Sequence, residues 1–356
     1  MVIKKGSKKT SLSIELQGVQ KLLQFLQGVY DNTHPAKSEM TAVLEANAFF
    51  IDFYSQWEGL SKAKIVKVML RFNQEQRFHS GSLQAQLAEG FCQAIDEKEI
   101  IETRIELVGN IDPMSIIEQV KAYLPPATPL DSVIHITLDS INNAFVHQGK
   151  IGVSLLKGVT DRPTFARLVA HELHHLGFRY WAGFDHVRLQ LLQEQSSRSV
   201  AVHHVQNLLA EGLANYFCTP EMVFSEKSDA SDSDPFQAKL GRLHQEETKL
   251  FTIAEEVLAL CLAPRADCQE CQKVFLALAL DMEERLLPAA HYLGARMIKT
   301  INQFHSHQEI IECVQNLPNF LRIYNQAARK VGAYVFASAL VDQFSQLWTI
   351  ETTVKE

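Results

Sequence analysis

Leu168-Val169-Ala170-His171-Glu172-Leu173-His174-His175-Leu176 is the stretch that decides how this chain is read. It holds the pattern H-E-x-x-H inside an apolar run, a signature of a catalytic zinc site. In a helix, positions i and i+4 point the same way, so the imidazoles of His171 and His175 converge, while Glu172 is rotated by about 100° and reaches beside the metal. Imidazole suits zinc, and three protein ligands leave a fourth position for a water whose pKa falls to about 7. Phe165, Val169, Leu173, Leu176 and Tyr180 form one apolar stripe, flanked by the small residues Ala166, Ala170 and Gly177. Pro163 suits a first turn and Asp161 can cap it, which predicts a helix over about 162–180. His174 falls on neither the ligand face nor the stripe and reads as a bystander.

A second element follows downstream. Leu208-Leu209-Ala210-Glu211-Gly212-Leu213-Ala214-Asn215-Tyr216-Phe217 sets an acid in an apolar segment, where a charge is costly unless it is paired or metal-bound. Gly212 and Ala214 lack bulk, so this helix is expected to pack closely on the His171 helix and bring Glu211 to the metal.

With these residues in place the chain resembles the gluzincin clan of zinc metallopeptidases, and Glu211-Gly212-Leu213-Ala214-Asn215-Tyr216 is similar to the E-G-x-A-x-Y form of some of its poorly characterised families. The resemblance covers roughly residues 130–220. It implies one Zn2+ per chain, with His171, His175 and Glu211 as ligands and Glu172 as general base. The metzincin pattern needs a further His after a Gly at a set spacing; Gly177 lies too close and His186 misses it. Thermolysin-like enzymes carry an Asp four residues after the ligand Glu, bonded to the first ligand His; here that place is Asn215, which accepts a bond without bringing charge. The G-x-M-E-N segment of one aminopeptidase branch is absent, so nothing argues for N-terminal trimming.

Upstream, Ser132–Leu138 and Lys150–Leu156 are extended Val/Ile-rich runs, separated by Asn142-Asn143 and Gln148-Gly149 turn chemistry. In gluzincins a strand before the zinc helix holds extended substrate by strand addition. Gly152-Val153-Ser154-Leu155 is the candidate here, with a strand that merely completes the sheet as the competing reading. An oxyanion needs a donor besides the metal. The segment Pro288 to Met297 supplies His291 and Tyr292 at a helix entry, with Gly294 permitting close approach. Tyr216 and His204 are rivals, His204 lying seven residues before Glu211 on the same face and reading otherwise as a partner to the ligands.

Elsewhere helical spacing covers 14–30, 40–58, 61–76, 81–96 and 112–123, then about 237–263, 271–287, 295–304 and 318–348. The expected architecture is α+β, mainly helical: an N-terminal helical region (1–127), a zincin-like core with a small sheet (128–222) and a C-terminal helical region (236–356) that completes the cleft. The acidic, polar stretch Ser225–Pro235 reads as an exposed loop. A net charge of −7 with mixed signs gives no nucleic-acid face. The Lys4, Lys5, Lys8, Lys9 cluster reads as a solvated tail. No apolar run is long enough for a span and no signal h-region follows the N-terminus, so the expected location is the cytoplasm. The 6 cysteines make no disulfide framework, and Cys261, Cys268 and Cys271 lack a fourth ligand for structural zinc.

The reading is a zinc-dependent peptidase acting on a peptide or protein substrate. Two other classes stay open: a catalytically idle zinc protein that binds peptides or partners through the same cleft, and a metal-free helical scaffold.

Overall fold

The computed structural model describes residues 10–33, 35–74, 78–224, 234–280 and 286–349. The Lys4–Lys9 cluster and nearly all of the acidic Ser225–Pro235 stretch lie outside them. The fold is mainly helical α+β: 66% of the described residues are helical, and among them lies one four-stranded mixed sheet. No described helix is long and apolar enough to cross a membrane. Packing divides the chain into two compact units, Met1–Val120 with Pro129–Leu176, and Lys121–Thr128 with Gly177–Glu356.

The first unit opens with strand β1 (Ser11–Glu15), followed by helices α1 (Gln17–Tyr30), α2 (Lys37–Ala46), α3 (Ala48–Gln56), α4 (Lys62–Met69), α5 (Leu83–Asp96), α6 (Lys98–Gly109) and α7 (Pro113–Lys121). Strands β2 (Asp131–Thr137), β3 (Ala144–His147) and β4 (Lys150–Ser154) then lead into α8 (Arg162–Ala182). The N-terminal region is therefore not all helical: Ser-Leu-Ser-Ile-Glu alternates with period two and pairs in parallel with β2. Helix α6 also goes beyond the periodicity reading. Its Ile101, Ile105 and Val108 face the core, while Ile100 is half-exposed and blurs the stripe.

Sheet order is β1-β2-β4-β3, with β3 alone antiparallel. Ile134, Ile136, Ile151 and Val153 are buried at its centre. The β3–β4 hairpin turns through Gln148 and Gly149 at φ 48° and 76°, the two left-handed residues of a type I′ turn. Phe145 of β3 stacks on Phe53 of α3 at 3.8 Å and lies over Gly152, where a Cβ would meet the ring at 2.4 Å. After β2, buried Asp139 accepts from the Tyr54 hydroxyl (2.6 Å) and the Ile141 amide (2.7 Å), which closes the connection to β3.

The second unit continues with α9 (His186–Gln193), α10 (Ser197–Phe217), α11 (Glu221–Phe224), α12 (Pro235–Gln245), α13 (Glu247–Leu262), α14 (Cys268–Ala279), α15 (Ala289–Ile301), α16 (His307–Glu312), α17 (Leu317–Val331) and α18 (Ser338–Gln346). Its core gathers Leu208, Leu209 and Leu213 with Leu293, Met297, Phe320 and their neighbours. The 318–348 segment is broken where Gly332, at φ 67°, caps α17 in the left-handed conformation. The 237–263 segment is likewise two helices, parted at Glu246.

Candidate metal centre

Helix α8 starts where its capping chemistry places it: Asp161 Oδ1 accepts the Thr164 amide at 2.8 Å, and Pro163 occupies the first turn. Those hydrogen bonds hold the Asp161 carboxyl below its ordinary pKa. Phe165, Val169 and Leu173 are fully buried. That stripe fixes the helix's rotation and leaves His171, Glu172 and His175 half-buried. The Nε2 atoms of His171 and His175 face each other at 3.0 Å, with the rings at 82°. His174 is fully buried, its ring 6.5 Å from that of His175 and at 74° to it.

Helix α10 is capped by Ser196, whose hydroxyl accepts the Ser199 amide. It carries Glu211 between the buried residues Leu208, Leu209, Gly212 and Leu213. One ligand atom from each of His171, His175 and Glu211 lies within 4.8 Å of the others. The donor set fits zinc. Two imidazole nitrogens and a carboxylate oxygen are a catalytic-type set, and bonds of about 2.1 Å at a tetrahedral angle separate two nitrogens by roughly 3.4 Å, close to the spacing between the facing Nε2 atoms.

Gly212 does create a close approach, but toward α15. A Cβ on Gly212 would meet the Gly294 carbonyl oxygen at 2.5 Å, and one on Gly294 would meet the Leu208 oxygen at 2.2 Å. The expectation that Gly212 packs on the His171 helix is thus corrected: two glycines face each other where α10 and α15 cross. One turn before Gly294, His291 Nδ1 lies 3.2 Å from Glu211 Oε2.

Other expected members lie elsewhere. The Tyr292 hydroxyl donates its proton to Glu247 Oε2 (2.5 Å) and sits 2.9 Å from His244 Nδ1. Arg296 pairs with the same carboxylate at 2.9 Å. Burial and the adjacent Glu247 push the Tyr292 phenol up from its ordinary pKa. A hydroxyl with its one proton given to a carboxylate has none to donate to an oxyanion, so Tyr292 is not placed for that task. Asn215 does not reach a ligand histidine either: its Nδ2 donates to the Glu211 backbone carbonyl at 2.8 Å, and its Oδ1 accepts from Thr219. His204 is buried, with Nε2 on the Ala254 carbonyl at 2.9 Å, and burial drives its pKa down to about 4. Tyr216 is engaged with Asn302, whose amide donates to its hydroxyl.

The expected substrate strand is also displaced. Residues 151–154 of β4 pair with β2 on one side and 150–153 with β3 on the other, the Ser154 amide bonds Asn143 O and the Leu155 amide bonds Thr137 O. Gly152, Val153 and Ser154 therefore lie inside the sheet, with Leu155 just beyond it, and the edge on that side belongs to β3. The residues that sequence reasoning missed are His244, Glu247 and Arg296, whose only signal is ordinary helical polarity.

This mainly helical fold with a small mixed sheet carries a His-His-Glu group of metal-ligating side chains on two long helices. Residues 40–333 match the family described as "Putative zinc dependent peptidase (DUF5700)", and the chain belongs to that family. No curated protein and no solved structure matches it.

Proposed function

We propose that this chain is a gluzincin-type peptidase that hydrolyses peptide bonds with one zinc held by His171, His175 and Glu211. The observation that carries the reading is the convergence of those three side chains, two of them from an H-E-x-x-H turn. Zinc held there supplies a Lewis acid that acidifies water and polarises the scissile carbonyl. Glu172, next to a ligand but outside the ligand set, takes the proton of the attacking water and passes it to the departing amine. His291 orients the Glu211 carboxylate through its Nδ1 contact, the kind of outer partner that tunes a metal ligand.

Extended substrate is assigned to the free edge of β3. In a two-residue hairpin the closing pair, His147 and Lys150, is hydrogen-bonded, and so is Phe145 with Gly152, leaving the main-chain groups of Ala144 and Val146 directed outward. A peptide strand would bond there, antiparallel or parallel, by β-augmentation.

The test is Glu172→Gln, which keeps size and removes basicity. Zinc content and fold are expected to persist while hydrolysis of a peptide library falls by at least about 10²-fold. Hydrolysis unaffected by the substitution sinks the mechanism, and a fully zinc-loaded wild-type protein that cleaves nothing reassigns the site to binding.

A further inference from the structure

In the second unit, a cavity of about 450 Å³ opens between the end of α8 and the segment after α16, lined by Trp181, Phe184, Asp185, Gln315, Asn316 and Trp348 among others. Its aromatic walls are held rather than loose. Trp181 and Phe184 meet at 5.8 Å with a 49° tilt, and Tyr180 braces Phe184 from behind at 4.9 Å. Both indole N–H groups are already used: Trp181 donates to Thr128 Oγ1 at 2.6 Å and Trp348 to Asp185 Oδ2 at 2.9 Å. The tryptophans therefore offer a guest only their π systems, whose faces carry negative potential.

The charge in the cavity wall has the same sign. Asp185 caps α9 through Oδ1, which accepts the Arg188 amide at 3.0 Å, and among the described residues its carboxylate forms no ion pair with a basic side chain. The neighbouring Arg188 guanidinium is fully buried and turned inward, donating to Gln206 Oε1 and the Val314 carbonyl and packing on the Phe178 ring. The C-terminal end of the 21-residue helix α8, the negative end of its dipole, sits at the same place. Phe184 is 45% exposed, so the wall it forms is open to a guest.

We propose that this cavity binds an alkylated ammonium group, its methyl or methylene surface against Trp181, Phe184 and Trp348 and its charge balanced by Asp185. Aromatic faces attract a cation that carries an apolar shell, and a carboxylate at the rim selects it over a neutral group of equal shape. An ordinary apolar guest would gain nothing from Asp185. An anion would be repelled by both the carboxylate and the rings.

The three tryptophan indole N–H signals in an NMR spectrum of the full chain give the test. Trp57 lies in the other unit, so its signal serves as an internal control. Titration with choline is expected to shift the Trp181 and Trp348 signals and leave Trp57 still, whereas its neutral isostere 3,3-dimethylbutan-1-ol binds at least about ten-fold more weakly. Asp185→Asn keeps a good helix cap and removes the charge along with the Oδ2 acceptor of Trp348, and Phe184→Ala removes an exposed wall without touching either bond; each is expected to weaken binding about ten-fold with the fold intact. A trimethyllysine peptide that binds more tightly than choline identifies a protein side chain as the source, and the reverse order identifies a small amine or headgroup. Equal binding of the neutral isostere, indifference to both substitutions, or no shift at tens of millimolar cation overturns the proposal.

Discussion

His171 and His175 stand one turn apart on α8 and converge by helical geometry alone, whereas Glu211 and His291 are distant in sequence and meet only where α10 and α15 cross through Gly212 and Gly294. The first arrangement survives wherever a helix forms there. The second depends on two missing side chains, because any Cβ at the crossing would collide with backbone. Glycine obstruction therefore differs in kind between the two. On α8, a Cβ at Gly177 would meet the end of the Leu124 side chain, which can swing away; on α15, a Cβ at Gly294 would meet the Leu208 carbonyl, which cannot.

The largest effect is expected from Gly294→Ala. It should cost about 3 kcal/mol or more, at or beyond the upper range for overpacking, since a helix backbone must move. Zinc affinity should fall with it, measured by competition with a chelator at a temperature where the variant is folded. A variant as stable as the wild type breaks the comparison.

Acid gives the next effect, through another contact of α10. His204 is neutral in the fold, with its pKa lowered from 6.5 to about 4. A depressed histidine contributes nothing above the unfolded value; below it the unfolded chain takes up the proton first. Stability should therefore decline as pH falls from about 6.5 and level off near 4, by about 3 kcal/mol in total from this group. Denaturant melts of wild type and His204→Leu across that window check it: the variant's curve should be flatter by that amount, and parallel curves contradict the assignment.

His291→Ala and Tyr292→Phe, neighbours in sequence, sharpen the same contrast. Loss of His291 should weaken zinc by about 10- to 100-fold, as loss of an outer partner does, with little change in stability. Loss of the Tyr292 hydroxyl should cost about 1–2 kcal/mol by leaving Glu247 short of a donor, with zinc affinity unchanged. A reversed pattern would place Tyr292 at the metal centre. The smallest effect is expected from Gly177→Ala, about 1 kcal/mol once Leu124 rotates away, with zinc retained.

This contrast also explains what the chain made legible. The α8 ligand pair, its cap and its stripe follow from a period of 3.6, and Glu211 declares itself as an acid among apolar neighbours. The type I′ turn at Gln148-Gly149 and the β2 and β4 strands are equally local signals. What a helix packs against is not local. Gly212 announces a close approach without naming the partner, and the partner is Gly294. Likewise nothing at Tyr292 shows that Glu247 waits for its hydroxyl, and Asn215 satisfies itself on its own helix. The order of the sheet follows the same rule: β3 is only four residues long, and its pairing hides β4 from the edge.

Anomalous diffraction at the zinc edge, from crystals grown without chelator, tests the central claim most directly. One peak per chain is expected, bonded to His171 Nε2, His175 Nε2 and a Glu211 carboxylate oxygen at about 2.0–2.2 Å, with His291 on that carboxylate and Tyr292 on Glu247. A peak coordinated without Glu211, or no peak at a pair of histidines still facing each other, would contradict it.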